Sequence, residues 1–405
     1  MTTPGQLEVA DVVRHYGATY LERYAHVTSI AQRRVLQAVS QCRTAALGGH
    51  HAQCDDCGYE VIQYNSCRHR NCPKCQGQAQ AAWLEGQRRD LLDVPYSHVV
   101  FTLPSQLSPL ALQNPRVLYN LLFQAVSETL QTIARDPKHL GADIGFLAVL
   151  HTWGQTLHHH PHLHCLVPAG GVAPDGLSWQ SCRKGFFLPV RVLSRFFRRT
   201  FLKALDRAAT RGELGFHGRC QSLQAPVAWR KWLRTLKRME WVVYAKRPLA
   251  GPQTVLTYLA RYTHRSAISN RRLLALENGQ VKFRWKDYHR GNRNRTITLD
   301  AVEFIRRFLL HTLPLGFQRV RHYGFLANGV RKVKLPLCRE LLGQSLESSR
   351  DNRETADSAE VETSSRRLST LCPACQVGQM QVRETWFPKR DALEPSNPIP
   401  LLDTS

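Results

Sequence analysis

The stretch that most constrains the fold of this chain runs from His158 to Val172 and holds five histidines within seven residues. Its second half leads into a proline and glycine break that begins at Pro168, a pattern typical of a strand. Alternate residues of a strand point to the same face, so we expect His162 and His164 to lie side by side. Two imidazoles on one face can hold a divalent metal ion. The alternatives are a polar strand whose histidines are merely solvated, and a histidine run that sequesters metal.

Cysteine pairs form the second pattern, because the chain has twelve cysteines and no sign of a secreted protein. Cys54 and Cys57 form one C-x-x-C pair, and Cys72 and Cys75 form another after fourteen intervening residues. Two such pairs at this separation predict a structural, four-thiolate zinc site. The alternative is four unrelated cysteines in a reduced loop. Other residues of the same loop could replace a ligand or hold a second ion: His50, His51, Cys67 and His69.

A third C-x-x-C pair, Cys372 and Cys375, stands near the end of the chain. It has only two ligands of its own, so an ion there would need partners from elsewhere, such as Cys338 or another subunit.

The charge balance points to nucleic acid. The 405 residues include 55 lysines and arginines against 31 acids, a formal charge of +24. A protein this basic is usually built to meet phosphates, although a generally basic surface is the alternative. We find no apolar run near the eighteen residues that a bilayer requires, and the chain starts with polar residues. We therefore expect a cytoplasmic, nucleoid-associated protein without a membrane partner.

A second candidate for chemistry lies between residues 254 and 265, where the apolar spacing predicts a helix. Tyr258 and Tyr262 are four residues apart, which places both phenols on one helical face. The neighbouring Arg261, His264 and Arg265 make this face cationic, as a phosphate site requires. The alternative is an ordinary pair of core or surface tyrosines.

Residues 144–153 and 162–167 read as neighbouring strands of an antiparallel hairpin, which would place the histidine pair in the middle of a sheet. Residues 97–104 form another strand, and residues 107–135, 190–211 and 229–238 form helices. Residues 271–299 alternate as strands with a basic face, which could contact nucleic acid or simply be the wet side of a sheet. The candidate DNA contacts are Arg261, Arg265, Arg271, Arg272, Lys282 and Arg284.

These motifs in combination resemble one known family, the IS91-like rolling-circle insertion-sequence transposases, which are related to Helitron transposases and to relaxase and replication-initiator nucleases. The resemblance covers roughly residues 8–345 and the late Cys-Pro-x-Cys. The residues that carry it are Gly48-Gly-His50, Cys54-x-x-Cys57-Gly, Ser66-Cys-Arg68, Cys72-Pro-Lys-Cys75-Gln, Phe101-Thr-Leu-Pro104, Trp153-Gly154, His160-Pro-His-Leu-His-Cys-Leu-Val-Pro168, Tyr258-Leu-Ala-Arg-Tyr-Thr-His-Arg265 and Arg321-His-Tyr-Gly-Phe-Leu-Ala-Asn328.

The resemblance implies an α+β fold, in which an HUH nuclease with a ferredoxin-like antiparallel sheet follows a helical zinc-binding domain. It implies Zn²⁺ as a structural ion and Mg²⁺ or Mn²⁺ on His162, His164 and a third ligand, for which Gln155 and His264 are candidates. Tyr258 and Tyr262 would be the nucleophiles that cleave single-stranded DNA at the element ends. We expect a zinc-binding domain in 1–95, a nuclease in 96–343, a disordered linker in 344–367 and a C-x-x-C tail in 368–405.

Three other functions stay open at this point. A replication initiator or relaxase would use the same chemistry. A zinc-containing regulator would bind DNA without cutting it, and a decayed copy of a transposase would also bind DNA but no longer cut it. A host helicase and a second copy of the chain are further partners to consider.

Overall fold

The computed structural model describes residues 6–88, 90–183, 185, 187–246, 254–255, 265–287, 291, 293–343 and 371–387. The candidate nucleophiles Tyr258 and Tyr262 lie outside these residues, as do Arg261, His264 and the predicted linker 344–367.

The described residues form a mixed fold of helices and antiparallel sheets, so the predicted α+β class is confirmed. The helices are α1 (Val9–Tyr24), α2 (Ile30–Gln41), α3 (Pro73–Arg88), α4 (Ser108–Gln113), α5 (Pro115–Arg135), α6 (Val190–Thr210), α7 (Pro226–Arg238), α8 (Ala301–Leu309) and α9 (Arg331–Leu341). The strands are β1 (Gly49–Cys54), β2 (Glu60–Tyr64), β3 (Tyr96–Thr102), β4 (Phe146–Trp153), β5 (His159–Pro168), β6 (Gly170–Val172), β7 (Trp179–Ser181), β8 (Val243–Ala245), β9 (Leu273–Glu277), β10 (Gln280–Asp287), β11 (Arg293–Asp300), β12 (Val320–Tyr323) and β13 (Met380–Trp386).

The largest sheet has five strands in the order β12-β4-β5-β3-β8, so β5 lies in its middle. The predicted hairpin is present, since β4 pairs with β5 in antiparallel register and His162 lies opposite His151. His164 lies opposite Val149 on one side and Val100 on the other. The histidine pair is therefore in the centre of a sheet, as the sequence predicts.

One face of this sheet packs on α5 and α6. Leu163, Cys165 and Val167 of β5 point to that face and are inaccessible to solvent. Phe101 of β3 joins them and packs edge to face on Phe197 of α6. The even-numbered residues of β5, which include His162 and His164, point to the opposite face. This alternation explains why the histidine run does not disturb the apolar core.

The prediction of one long helix from residue 107 to residue 135 is wrong in one respect, because this segment forms two helices, α4 and α5. Pro115 begins the second helix, and the residue before a proline is driven out of the helical region. Asn114 has φ −124° and ψ 51°, and its side-chain amide bonds both backbone groups of Gly215. The amide therefore fixes the break.

A second sheet, in the order β11-β10-β9, packs with α1, α2 and α8 around a separate core. Val281 and Phe283 of β10 point into that core, where Phe304 of α8 meets Phe283 edge to face. Asp300 begins α8 by accepting hydrogen bonds from the backbone of Val302 and Glu303.

The third sheet, in the order β13-β1-β2, pairs a strand from the C-terminal part of the chain with two strands from the N-terminal part. Gly49 of β1 lies opposite Tyr64 on one side and Trp386 on the other. The aromatic rings of Tyr64 and Trp386 meet edge to face with centroids 6.1 Å apart. A side chain at Gly49 would clash, since a Cβ atom there would lie 2.6 Å from the carbonyl oxygen of Gln63.

A two-stranded sheet of β6 and β7 completes the fold. Within the part of the chain that the structure describes, no helix is long and apolar enough to cross a bilayer.

Candidate metal and nucleic-acid sites

Three histidines converge on the face of the five-stranded sheet opposite α5 and α6: His151 of β4 and His162 and His164 of β5. One ring nitrogen from each lies within 4.8 Å of the others. The ring centroid of His151 is 5.5 Å from that of His162 and 4.5 Å from that of His164. Three imidazoles at this spacing can share one ion while leaving other coordination positions open.

Hydrogen bonds orient two of these rings. Nδ1 of His162 lies 2.7 Å from the carbonyl oxygen of His160, so this nitrogen carries the proton and donates it. Nδ1 of His164 lies 2.8 Å from Nε2 of His98, a ring that is 4% exposed and stacks on His164. When each Nδ1 donates, Nε2 of both His162 and His164 has a lone pair available for a metal.

Burial also keeps these rings neutral. It lowers the pKa of His162 to about 4, and the neighbouring His160 adds to the effect. Burial holds the pKa of His164 well below its usual range, with smaller contributions from His151 and from the positive charge of Arg265. An imidazole must be neutral to bind a metal, so the site is ready for an ion at neutral pH.

The third member of the cluster, His151, is not one of the candidates that the sequence suggested. Gln155 instead faces β10, where its side-chain oxygen accepts a hydrogen bond from the backbone N–H of Lys286 at 3.4 Å. His264 lies outside the described residues. The sequence places His151 on the predicted strand next to the histidine strand. The face of the sheet to which its ring points depends on the register of the hairpin, which the sequence pattern does not give.

The cysteines form two groups. The first unites Cys42 after α2, Cys67 and Cys72 in the loop before α3, and Cys75 in the first turn of α3. The sulfur of Cys75 lies 3.6 Å from those of Cys42 and Cys67. A disulfide would need about 2.05 Å, whereas four thiolates around a tetrahedral zinc ion with bonds of about 2.3 Å lie about 3.8 Å apart. The spacing fits zinc.

Hydrogen bonding within this first group favours the thiolate form of Cys75 and, less strongly, of Cys42, whose pKa falls to about 7. Bonds from Cys42, Cys67 and Cys72 hold the pKa of Cys75 well below its usual range. Hydrogen bonds with Cys42, Cys67 and Cys75 raise the pKa of Cys72, and the bond with Cys42 contributes most. Four adjacent thiolates repel one another unless a cation lies between them, which is the donor arrangement of a structural zinc site.

The second group unites Cys54 and Cys57 with Cys372 and Cys375. The sulfur of Cys54 lies 3.7 Å from that of Cys375, and the sulfur of Cys57 lies 3.6 Å from that of Cys372. The prediction that Cys54, Cys57, Cys72 and Cys75 share one ion is therefore wrong in its grouping. Each predicted pair has different partners, because β1 and β2 carry the first pair away from α3.

The remaining residues suggested for these sites lie outside both groups. His51 pairs with Glu60 at 3.3 Å, and Nδ1 of His69 accepts a hydrogen bond from the backbone of Asn71 at 3.1 Å. Cys338 is inaccessible to solvent in the core around α9 and does not reach Cys372 or Cys375.

Comparison with known proteins matches two family models to the chain. A model described as "Transposase zinc-binding domain" matches residues 12–103, and a model described as "Putative transposase" matches residues 145–334. A protein of Sinorhizobium fredii (strain NBRC 101917 / NGR234) named "Putative transposase y4qJ" is 55% identical over 374 residues, which cover 92% of this chain and 94% of that protein. The "Transposase for insertion sequence element IS801" of Pseudomonas savastanoi pv. phaseolicola is 31% identical over 309 residues, covering 74% of this chain and 72% of that protein.

The chain belongs to the IS91-type transposases. The family predicted from the motifs is thus confirmed. No solved structure matches the transposase. The matched zinc-binding region contains all of the first cysteine group but only half of the second, since Cys372 and Cys375 lie far beyond residue 103.

In the sequence of the transposase, the two candidate tyrosines fall between Val255 and Arg265, and these two described residues both lie near the central sheet. Val255 is inaccessible to solvent and belongs to the same apolar cluster as Leu147 and Leu166. On the other side, Arg265 acts electrostatically on His164. The partly buried Arg319 donates a hydrogen bond of 3.1 Å from its guanidinium to the backbone carbonyl of Arg265.

The predicted DNA contacts of the transposase differ in their surroundings. Lys282 and Arg284 point to solvent from β10, and Arg271 is exposed just before β9. Arg272 is committed to the protein, because its guanidinium donates to the carbonyl oxygens of Gln155 and Arg284 and covers the ring of Phe283. Arg284 and Arg295 line an open depression together with Asn294 and Thr296.

Proposed function

We propose that this transposase cuts and rejoins single-stranded DNA at the ends of its element through a covalent 5′-phosphotyrosine link, the chemistry of rolling-circle transposition. The observation that carries the proposal is the cluster of His151, His162 and His164 in the middle of an antiparallel sheet. The sheet has two helices on its other face, which agrees with the ferredoxin-like HUH arrangement that we propose for it.

The histidine cluster is suited to a divalent metal ion. Burial lowers the pKa of His162 and of His164 and keeps both rings neutral at pH 7, and a neutral ring that donates through Nδ1 presents Nε2 as the metal-binding nitrogen. Mg²⁺ prefers oxygen ligands, whereas nitrogen sites bind first-row divalent ions, so Mn²⁺ fits the donors better and Mg²⁺ is the alternative. When bound, the ion would polarise the scissile phosphate and help to orient it.

The nucleophile in this proposal is the phenol of Tyr258 or Tyr262. The phenol gives up its proton and its oxygen attacks phosphorus. The new oxygen–phosphorus bond forms as the bond to the 3′ oxygen breaks, and that oxygen takes up a proton, so the leaving strand ends in a free 3′-OH. Attack by a 3′-OH on the phosphotyrosine reverses these bond changes and joins the strands without ATP. Two tyrosines would allow two strands to be cut in succession.

Positive charge near the cluster supports the same function. A phenol has a pKa near 10, so it needs help to lose its proton. The charge of Arg265 reaches His164, and we propose that it favours phenolate and phosphate alike. Lys282, Arg284 and Arg271 offer exposed cations along the second sheet, and we propose that they contact the DNA backbone.

Structural zinc completes the proposal. The first cysteine group, Cys42 with Cys67, Cys72 and Cys75, lies within the matched zinc-binding region and packs in the same core as α1 and α2. Four thiolates fill a tetrahedral ion and leave no position for water, so this zinc would hold α3 against α2 without taking part in cleavage. We expect a host helicase to supply the melted strand.

The experiment that tests this function uses labelled single-stranded DNA of the element end, purified transposase and Mn²⁺ or Mg²⁺, followed by a denaturing gel. Wild type should give a slowly migrating covalent protein–DNA band. The band should vanish in the variant that combines Tyr258→Phe with Tyr262→Phe, and in the variant that combines His162→Ala with His164→Ala. His151→Ala should weaken it and raise the metal concentration required.

The matched control is Tyr244→Phe, which removes an exposed phenol from β8, on the same sheet. Its band should equal that of wild type. DNA binding by wild type without any covalent band would support a non-catalytic regulator or a decayed copy. A band that persists in the double tyrosine variant would reject the proposed nucleophiles.

A further inference from the structure

The second cysteine group brings together two C-x-x-C pairs from distant parts of the chain. Cys57 and Cys372, whose sulfurs lie 3.6 Å apart, are separated by 315 residues. The four sulfurs all lie within 4.8 Å of one another. No disulfide joins them, and their spacing is that expected around a tetrahedral ion with bonds of about 2.3 Å.

The loops that carry these cysteines are shaped to present thiolates. The backbone N–H of Cys57 points to the sulfur of Cys54 at 3.5 Å. On the other side, the N–H of Ala374 points to the sulfur of Cys372 at 3.4 Å, and that of Gly378 to the sulfur of Cys375 at 3.3 Å. N–H groups aimed at sulfur stabilise the thiolate form, which is the form that binds a metal.

The two halves of the site also pair through their backbones. The carboxylate of Asp55 accepts a hydrogen bond of 2.7 Å from the N–H of Gln379, while the N–H of Asp55 donates to the carbonyl oxygen of the same residue at 3.1 Å. β13 then continues along β1, from Met380 opposite Cys54 to Trp386 opposite Gly49. The C-terminal segment therefore forms part of the same sheet as β1, the strand that ends at Cys54.

Apolar packing alone offers this small sheet little support. Apart from its cysteines, the buried cluster here consists of Ala52 and Met380 among the described residues, with Val61 partly buried beside it. Most other side chains of β2 and β13 are exposed. A sheet of this size rarely folds without a disulfide or a metal, and none of the described cysteines is in a disulfide.

We infer that Cys54, Cys57, Cys372 and Cys375 bind a second structural zinc ion, which ties the C-terminal segment to the N-terminal zinc-binding region. This inference depends only on the cysteine geometry and is independent of the proposed DNA chemistry. The matched zinc-binding model ends at residue 103 and does not include the two C-terminal ligands.

The first test is the zinc content of the full chain, measured by mass spectrometry of the metal after exhaustive dialysis. Wild type should hold two zinc ions per chain, one for each cysteine group. The variant that combines Cys372→Ser with Cys375→Ser should hold one. The control combines Cys182→Ala with Cys220→Ala, which removes two cysteines outside both groups, and it should still hold two.

The second test shows whether the two ends share the ion. Native alkylation with iodoacetamide is mapped by peptide mass spectrometry in the variant that combines Cys54→Ser with Cys57→Ser. Cys372 and Cys375 should change from protected to labelled, while Cys72 and Cys75 stay protected and report that the rest of the domain is folded.

Two results would overturn the inference. One is a zinc content that is equal in wild type and in the variant that combines Cys372→Ser with Cys375→Ser. The other is continued protection of Cys372 and Cys375 after their partners at positions 54 and 57 are replaced, since the tail would then have other ligands.

Discussion

His98 is the residue that most directly supports the histidine cluster without belonging to it. Its Nε2 lies 2.8 Å from Nδ1 of His164, and burial lowers its pKa to about 3, so it stays neutral and can accept a hydrogen bond from the N–H of His164. A ligand histidine whose second nitrogen is held in this way has a fixed ring and a fixed tautomer. His98 is thus a positioning residue for the proposed metal.

We predict that His98→Ala weakens Mn²⁺ binding by about 10- to 100-fold, the usual effect of losing such a partner. Isothermal titration calorimetry measures the affinity. His98→Asn keeps a hydrogen-bond acceptor and should retain more of the affinity, whereas the exposed His26→Ala should change nothing. Equal losses in the alanine and asparagine variants would show that His98 only fills space.

The site shows what the sequence could and could not predict for single residues. Alternation along one strand was enough to place His162 and His164 together. His151 needed the register between two strands, which depends on the bulge between residues 151 and 153 and is not visible in a single sequence. Cys42 belongs to no C-x-x-C pair, so only its position in space, with its sulfur 3.6 Å from that of Cys75, identifies it.

At the level of elements, β5 separates its histidines between two environments. His162 and His164 lie on the face opposite α5 and α6, whereas His159 faces α4 and α5, where it contacts the Ser108 hydroxyl at 2.5 Å and the Tyr119 hydroxyl at 2.9 Å. Burial lowers the pKa of His159 to about 3 and that of His311 to about 4. These rings are neutral in the folded protein but protonate near pH 6.5 once it unfolds.

This difference predicts acid sensitivity with a definite sign. Between pH 6.5 and 4 the unfolded chain binds more protons than the folded one, so the free energy of unfolding falls as the pH is lowered. His159→Gln should lower the number of protons that the chain takes up on unfolding by up to one. The slope of the free energy of unfolding against pH should then fall by up to about 1.4 kcal/mol per pH unit. Urea titrations of both proteins at several pH values measure the slopes, and parallel curves would contradict the assignment.

The same elements also show why sequence patterns predicted helices and strands better than their ends. The apolar periodicity from residue 107 to residue 135 is continuous, and the break at Asn114 comes from Pro115 and from a side-chain contact with Gly215. That contact joins segments that are 101 residues apart, so no local window contains it.

Across the whole molecule, the charge of +24 predicts DNA binding that weakens steeply with salt. For single-stranded DNA, each phosphate contact contributes about −0.7 to the slope of log affinity against log salt. The variant that combines Lys282→Gln with Arg284→Gln should therefore reduce the slope by about 1.4. Fluorescence anisotropy at several salt concentrations measures it.

The control for this prediction combines Lys138→Gln with Arg219→Gln, which removes two exposed cations outside the second sheet. If the control reduces the slope as much as Lys282→Gln with Arg284→Gln does, the binding depends on overall charge and not on β10.

The proposed second zinc ion acts at this scale as well, because it closes the chain on itself. Closing a loop of the 315 residues between Cys57 and Cys372 costs at most about 6 kcal/mol of chain entropy by the relation used for disulfides. Structural zinc contributes about 10–16 kcal/mol in zinc-finger peptides, which exceeds this cost. The sequence could not reveal this pairing, since the nearest cysteine pairs along the chain are not the partners in space.

The most direct test of the central proposal is to identify the amino acid that carries the DNA. Covalent complexes formed on an element-end oligonucleotide are digested with nuclease and trypsin and analysed by mass spectrometry. Arg261 lies between Tyr258 and Tyr262, so trypsin places the two phenols on different peptides and the spectrum tells them apart. We predict a nucleotide remnant on one or both of these tyrosines. A remnant on any other residue, or none from a protein that binds and cuts the DNA, would contradict the proposal.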